Sequence, residues 1–469
     1  MLFPTIQFAI FFVVVLTANW LLLPHPKQWK WFMLLASYFF YGAWDWRFAF
    51  LMAGVSVVNH QVARRIATNE DPAIRRRFLI VGVAASLAVL GWFKYYGFFV
   101  SSLINLFRPL GIDLPLPLLE ITLPVGISFF TFQAMTYPID VYRRAQEPIS
   151  LLDCMVFVSF FPQLVAGPIV RVSEFLPQLY ARPNPRRVDG ATGFLLIAGG
   201  LFKKVVVANT LATQLVDPVF ASPQNFSALE VVGGVYGYAV QIFADFSGYT
   251  DIAIGCALLM GFRFPQNFDR PYVATSIQDF WRRWHMTLSR WLRDYLYIPL
   301  GGSRKGRAAT YRNVMVTMIL GGLWHGAAWT FVVWGALHGA GLAVERWWGE
   351  RRPQAAASAP WRLWLQRIVV FHFVCLGWVL FRSDSMAAAA TVLSRLGQWG
   401  PAPALTPAVM ALIVGGIGVQ YLPTDIRLRV RNGFARLRPV AMAATLGGFL
   451  LIVDALGPEG VAPFIYFQF

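Results

Sequence analysis

The sequence predicts an all-α fold: a polytopic membrane protein of about eleven transmembrane helices, with re-entrant and interfacial helices around a central funnel or tunnel. Three observations predict it. The 469 residues are 57% hydrophobic, 16% aromatic and only 13% charged, a balance foreign to ordinary soluble proteins. Apolar runs approaching twenty residues recur along the chain. No hydrophilic stretch is long enough to fold alone, so residues 1–469 read as one membrane domain with a core at about 121–346.

Taken in order, apolar runs at about residues 3–23, 29–41 and 48–62 are the first three spans. No basic n-region precedes the first, which reads as an uncleaved span with its N-terminus outside the cytoplasm. The segment 64–77 carries Arg64, Arg65, Arg75, Arg76 and Arg77 against Glu70 and Asp71, and is placed inside. Residues 78–107 can span with tilt. The stretches 121–135 and 151–170 are interrupted by Pro124, Gly126, Pro162, Gly167 and Pro168, which favours re-entrant pieces over simple spans. Arg143, Arg144, Arg171, Arg182, Arg186 and Arg187 close by argue for a cytoplasmic return.

Lys203-Lys204 interrupts the run 191–212, either as a boundary between two shorter helices or as a pair lining a polar cavity. Residues 228–260 are expected to break near their middle, where Asp245 and Asp251 flank a Ser-Gly pair. Carboxylates inside a membrane run need partners. They either satisfy a helix break or pair with arginines, or they act directly on a substrate or cofactor, which makes Asp245, Tyr249 and Asp251 candidate tunnel residues. A polar Ala/Pro-rich loop at 349–360 precedes spans at about 365–380, 409–421 and 440–456. The arginine-rich segment 427–438 reads as a cytoplasmic loop, and the tail PFIYFQF suits a membrane interface.

The formal net charge is +17, from 40 Lys and Arg against 23 Asp and Glu. Nucleic acid is excluded as a partner, because the positive residues sit in short loops beside apolar runs. The lipid bilayer explains them. Cys154, Cys256 and Cys375 lie in or beside apolar segments without paired spacing, and read as buried free thiols. No metal-ligand spacing of Cys or His occurs, so no metal is expected.

The chemistry concentrates in residues 277–339. In the first half Phe280, Trp281, Trp284, Leu288, Trp291, Leu292 and Tyr295 recur at helical steps and predict one apolar face. Arg282, Arg283, Arg290 and Arg293 fall largely opposite, and His285 turns toward the apolar side. In the second half residues 313–344 carry no formal charge and are flanked by arginines at both ends, so the segment enters and returns. A helix over residues 313–323 would rise about 16 Å, placing His325 deep in the membrane at a broken-helix turn. An ionisable residue at that depth is a functional candidate. His338 reads as a packing or boundary histidine, His60 and His372 likewise stand outside the chemistry, and His25 reads as interfacial.

Several long blocks then resemble a known family. They are LPVGISFFTFQAMTYPIDVYR (residues 123–143), FFPQLVAGPIVR (160–171), QIFADFSGYTDIAIG (241–255), NFDRPYVATSIQDFWRRWHMTLSRWLRDYLYIPLGG (267–302) and GGLWHGAAWTFVVWG (321–335). In this order they resemble the bacterial membrane-bound O-acyltransferases, especially the polysaccharide branch that acetylates alginate, with a more distant relative in teichoic-acid D-alanylation. The resemblance implies that His325 is the signature active-site residue and His285 its partner. It also implies a bacterial inner-membrane enzyme. Acetyl-CoA would be the cytosolic donor and an exported polysaccharide (cellulose or alginate) the acceptor, with a periplasmic acetyltransferase-type partner protein.

Acyl transfer from a thioester needs a base for the acceptor hydroxyl and stabilisation of the oxyanion. His325 is the expected base, in the apolar setting of Trp324. His285 would orient the acceptor or hydrogen-bond the oxyanion. Arg282, Arg283, Arg290 and Arg293 are candidate contacts for the phosphates of coenzyme A, as is the basic glycine loop GGSRKG (301–306), which lacks the spacing of a nucleotide-binding P-loop. A transporter or flippase, or a structural subunit of an export complex, is the rival reading, since broken helices and buried charge also mark transport paths.

Overall fold

A computed structural model describes the chain except residues 166, 182, 352–358, 459, 461–463 and 468–469. Arg182, Arg352, most of the loop at 349–360 and three residues of the aromatic tail therefore lie outside the described residues. The described chain is helical, with no strand among the described residues. It divides into two compact units, Met1–Gly190 with Cys256–Pro265, and Ala191–Gly255 with Gln266–Phe469.

The first unit holds α1 (Ile6–Leu22), α2 (Pro26–Gly42), α3 (Trp46–Thr68), α4 (Pro72–Leu90), α5 (Tyr96–Phe107), α6 (Ile127–Tyr142), α7 (Leu151–Ser159), α8 (Phe161–Leu164) and α9 (Val172–Ala181). Their starts follow from local chemistry. Thr5, Asp45, Asp71 and Ser150 each accept a hydrogen bond from a backbone N–H in the first turn of the helix they open. Pro26 and Pro72 stand at first helical positions, where no amide hydrogen is needed. Rings from α1, α2 and α8 interlock: Phe161 packs on Phe11 at 5.2 Å and on Phe40 at 5.6 Å. Buried Arg75 donates to the carbonyls of Ile66 and Tyr142, both at 3.0 Å, which closes the C-terminal ends of α3 and α6.

The second unit opens with α10 (Gly190–Leu201), a wide helical turn (Phe202–Ala208), α11 (Asn209–Leu211), a second wide turn (Ala212–Val216) and α12 (Asp217–Ala221). These form one helical run of 32 residues, Gly190–Ala221. Lys203 and Lys204 lie inside it, so they do not mark a boundary between helices. α13 (Ala228–Leu259) is likewise continuous over 32 residues. The break expected between Asp245 and Asp251 is absent, because both carboxylates meet lysines rather than arginines. Lys204 Nζ stands 2.5 Å from Asp245 and Lys203 Nζ 2.5 Å from Asp251. The wide turn at 202–208 brings both lysines onto the side that faces α13. Close backbone approach allows it: a Cβ on Gly200 would sit 2.6 Å from the Gly248 carbonyl oxygen.

Next come α14 (Ile277–Arg283) and α15 (Met286–Leu292), where one continuous amphipathic helix was expected. α16 (Arg307–His325) and α17 (Trp329–Gly349) form a helical hairpin. The chain doubles back as expected, but α16 starts six residues earlier than expected and rises about 28 Å rather than about 16 Å. Glycines let the two helices touch. A Cβ on Gly335 would lie 2.3 Å from the Met318 carbonyl oxygen, and one on Gly322 2.2 Å from that of Phe331.

The unit closes with α18 (Pro360–Arg382), α19 (Met386–Ser394), α20 (Pro407–Gly418), α21 (Thr424–Ala435) and α22 (Pro439–Leu456). α21 is a helix where a basic loop was expected, and the chain bends by 94° between Pro407–Tyr421 and Asp425–Ala435. Among the described residues five helices are long and apolar enough to cross a membrane, or six if that bent pair counts as one span.

Candidate active site

The site begins with a strained residue. His285 joins α14 to α15 with φ +42° and ψ +53°, in the left-handed region that side chains with a Cβ avoid. Such a conformation costs roughly 1–3 kcal/mol and persists only where its surroundings enforce it. Here Asn267 enforces it. The Asn267 carbonyl accepts from the Met286 N–H at 2.9 Å, and its side-chain Oδ1 accepts from the Thr287 N–H at 3.2 Å and the Thr287 hydroxyl at 2.9 Å. Next to it, the Asp269 N–H donates to the Arg283 carbonyl at 2.9 Å. The segment around 267–269 thus runs alongside the junction and splits the expected helix in two.

The same Oδ1 lies 3.2 Å from His285 Nδ1. Because a backbone N–H already identifies that atom as the oxygen, His285 Nδ1 must be the donor. The imidazole therefore carries its proton on Nδ1, and Nε2 is a lone-pair nitrogen. Asn267→Ala is expected to lower turnover by about tenfold, the weight of one buried hydrogen bond and the tautomer it fixes. A shift in the pH–rate profile would report the tautomer separately from any loss of folded protein.

His325 arrives from the other direction, as the last residue of α16, where Gly326 ends the helix. A Cβ at Gly326 would collide with the Phe331 ring at 2.0 Å, so the turn admits only glycine. The two imidazoles stand 6.5 Å apart between ring centroids, and both are buried, at 0% and 3% exposure. Aromatic rings enclose them. Phe246 meets His285 edge-on at 4.7 Å, and Trp324 lies 5.8 Å from His285 and 5.0 Å from His325. Trp334, Phe381 and Tyr466 approach His325 at 5.1, 5.2 and 5.4 Å. Two basic nitrogens in an aromatic, water-poor enclosure suit proton transfer from a hydroxyl.

Residues 84–387 match the family model described as MBOAT, membrane-bound O-acyltransferase family. The chain belongs to the membrane-bound O-acyltransferase family. It is 38% identical over 468 residues to the probable alginate O-acetylase AlgI of Pseudomonas putida, covering 93% of this chain and 94% of that one. The corresponding protein of Pseudomonas aeruginosa is 42% identical, over 83% of this chain and 74% of its own. A peptidoglycan O-acetyltransferase of Helicobacter pylori is 39% identical, over 79% and 73%. With the apolar helices above, the family makes this chain a membrane protein and an O-acyltransferase.

The remaining candidates divide around this histidine pair. Trp324 lies beside it. Asp245 and Tyr249, on α13, stand behind Phe246 and hold the C-terminal turn Ile465–Phe467. The Ile465 N–H donates to Asp245 Oδ2 at 2.7 Å, and Phe464 packs on Tyr249 at 4.6 Å. Asp251 is drawn to Lys203 instead. Of the four arginines, Arg283 bonds Asp279 at 2.9 Å and Arg293 bonds Asp294 at 2.6 Å. Arg282 is exposed on α14 and meets no carboxylate among the described residues. The glycine loop is a turn rather than a cradle: Asn313 Nδ2 donates to the Gly302 carbonyl at 2.9 Å and pins it to α16.

Sequence reasoning missed Asn267 and Tyr466 beside the histidine pair. Asn267 opened the longest family-like block and Tyr466 sat in the aromatic tail, so both were in view without a geometric reason to choose them. His338 is a packing residue as expected, fully buried and facing Trp334 at 4.8 Å.

Proposed function

We propose that this O-acyltransferase moves acetyl groups from a cytosolic thioester donor, acetyl-CoA, across the bacterial inner membrane for O-acetylation of an exported polysaccharide. Cellulose and alginate are the acceptors proposed, and a periplasmic acetyltransferase-type partner would complete delivery. The observation that carries the reading is the pairing of His285 and His325 in one buried aromatic enclosure. The acetylases named for alginate and peptidoglycan support acetyl as the group moved. About eleven spans in a single domain, around a central funnel or tunnel, would bring donor and acceptor to it from opposite faces.

His325 takes the proton of the acceptor hydroxyl as its oxygen attacks the thioester carbonyl. A C–O bond forms, the C–S bond breaks, and the thiolate leaves with that proton. His285, with its lone pair on Nε2, orients the acceptor by accepting a hydrogen bond from a neighbouring hydroxyl of the sugar, leaving the reacting hydroxyl's proton to His325. Donating to the oxyanion would need the other tautomer, which Asn267 opposes. Arg282 is the arginine proposed first for the donor phosphates, since it is exposed and meets no carboxylate among the described residues, whereas Arg283 and Arg293 already pair with Asp279 and Asp294.

The test is acetyl-CoA turnover by the purified protein, alone and with periplasmic extract. Cleavage that depends on His325 supports the enzyme, and dependence on extract supports a relay. Protein that neither binds nor cleaves acetyl-CoA in any mixture would overturn acetyl-CoA as the donor.

The contact of Tyr466 with His325 favours a second reading, in which the first acceptor is a phenol of the chain itself. The acetyl group would form an ester on the Tyr466 oxygen before moving to the partner. Tyr466→Phe, which keeps the ring packing, is then expected to abolish delivery to polymer and to remove an acetyl adduct from the C-terminal peptide by mass spectrometry. Full delivery by Tyr466→Phe would leave the direct transfer standing.

A further inference from the structure

The first unit contains a second group of basic atoms that acyl transfer does not use. His60 and Arg64 lie one turn apart on α3 and open into one cavity of about 390 Å³. Ala67, Thr68, Pro148, Ile149, Ser150 and Leu151 complete its lining. His60 is only 7% exposed, and its Nδ1 is buried without a hydrogen-bond partner among the described residues. Arg64 is exposed and makes no ion pair or hydrogen bond from its guanidinium among the described residues. No carboxylate lines the cavity.

The walls are fixed in place. The His60 ring lies parallel to that of Tyr137, 6.4 Å away, and the Tyr137 hydroxyl accepts from the Ile149 N–H at 2.9 Å. Ser150 caps α7. The nearby carboxylate, Asp153, is consumed elsewhere: Lys30 stands 2.5 Å from one oxygen, and the Tyr180 and Ser150 hydroxyls donate to the other at 3.0 and 2.8 Å. A buried imidazole and a guanidinium therefore face one space with nothing negative to meet them, beside the N-terminal turn of a nine-residue helix. Buried polar atoms left unbonded are costly, and a guanidinium without a counter-charge attracts an anion. An anion resolves both.

We propose that this cavity is a phosphate-binding site, taking either the headgroup phosphate of an anionic phospholipid or a free phosphate group. The apolar lining from Ile149, Leu151 and Ala67 suits the glycerol end of a lipid. The arginine-rich segment after α3 puts this end on the cytoplasmic side by the positive-inside bias. The site is independent of the acyl-transfer reading and of its residues.

The test uses the full chain, purified in a nonionic detergent and stripped of lipid. The probes are phosphatidylglycerol, phosphatidylcholine and inorganic phosphate, read by native mass spectrometry and thermal unfolding. The expected result is one preferred phosphatidylglycerol per chain, its affinity lowered about tenfold by His60→Gln or Arg64→Gln and unchanged by Arg65→Gln. Displacement of that lipid by millimolar phosphate, with the same dependence on Arg64, assigns the site to the phosphate group itself; no displacement assigns it to the lipid. If His60→Gln fails to fold, the surface substitution Arg64→Gln carries the test. Equal binding of phosphatidylcholine, equal loss from Arg65→Gln, or no binding of either anionic probe would overturn the proposal.

Discussion

His325→Gln is expected to lower acetyl-donor turnover by about 10²–10⁴-fold, the usual weight of a positioned general base, while the protein stays folded. Glutamine fills most of the imidazole's volume and keeps a polar group at the end of α16, so the rings of Trp324, Trp334, Phe381 and Tyr466 keep a neighbour. What it removes is the ability to accept a proton near neutral pH. His338→Gln is the matched control. That imidazole is also buried and lies against Trp334, 4.8 Å from it, but its ring contacts are with Phe280, Trp281, Trp334 and Phe373 rather than with His285 or Tyr466. If both substitutions lowered turnover equally and in step with thermal stability, His325 would be a packing residue. A loss confined to His325→Gln, together with unchanged donor binding, identifies it as the base. The comparison works because the two histidines share burial and aromatic surroundings and differ in what else they face.

Much of this site was legible in the sequence, and the part that was not has a physical reason. Composition and apolar runs foretold a helical membrane protein, because burial in lipid leaves a strong one-dimensional signal. His325 stood out as a candidate, because an ionisable side chain amid uncharged residues is conspicuous, and the structure brings it beside the other candidate, His285. The break at His285 left no such mark. The apolar spacing from Phe280 to Tyr295 is consistent with one helix, and local propensity offers no reason to stop at a histidine. It stops because Asn267, eighteen positions earlier, supplies hydrogen bonds that favour a left-handed residue, a long-range effect that periodicity cannot carry. The lysine pair failed in the opposite sense. Two charges in an apolar run read as an interruption, yet the helix continues because α13 supplies a carboxylate for each.

That last arrangement carries the largest expected effect on stability. The Lys204 and Asp245 side chains are 2% and 3% exposed, so neither charge has water to fall back on. Asp245→Ala takes the carboxylate away from a buried ammonium and is expected to destabilise the protein by about 3–5 kcal/mol, measured as a lowered unfolding temperature in detergent. It also removes the acceptor for the Ile465 N–H, which holds the C-terminal turn and therefore Tyr466 beside His325. The double substitution Lys204→Met with Asp245→Leu separates the two roles. Replacing a buried ion pair by apolar residues of similar size is often neutral or stabilising, so thermal stability should return. Turnover should not, because leucine cannot accept from Ile465 and the turn stays untethered. Limited proteolysis would show the C-terminal peptide released in both variants, against protection in the parent. Recovery of turnover along with stability would mean that the ion pair acts only as ballast in the helix packing. Recovery of stability alone would mean that Asp245 reaches the chemistry through the chain's own C-terminal turn.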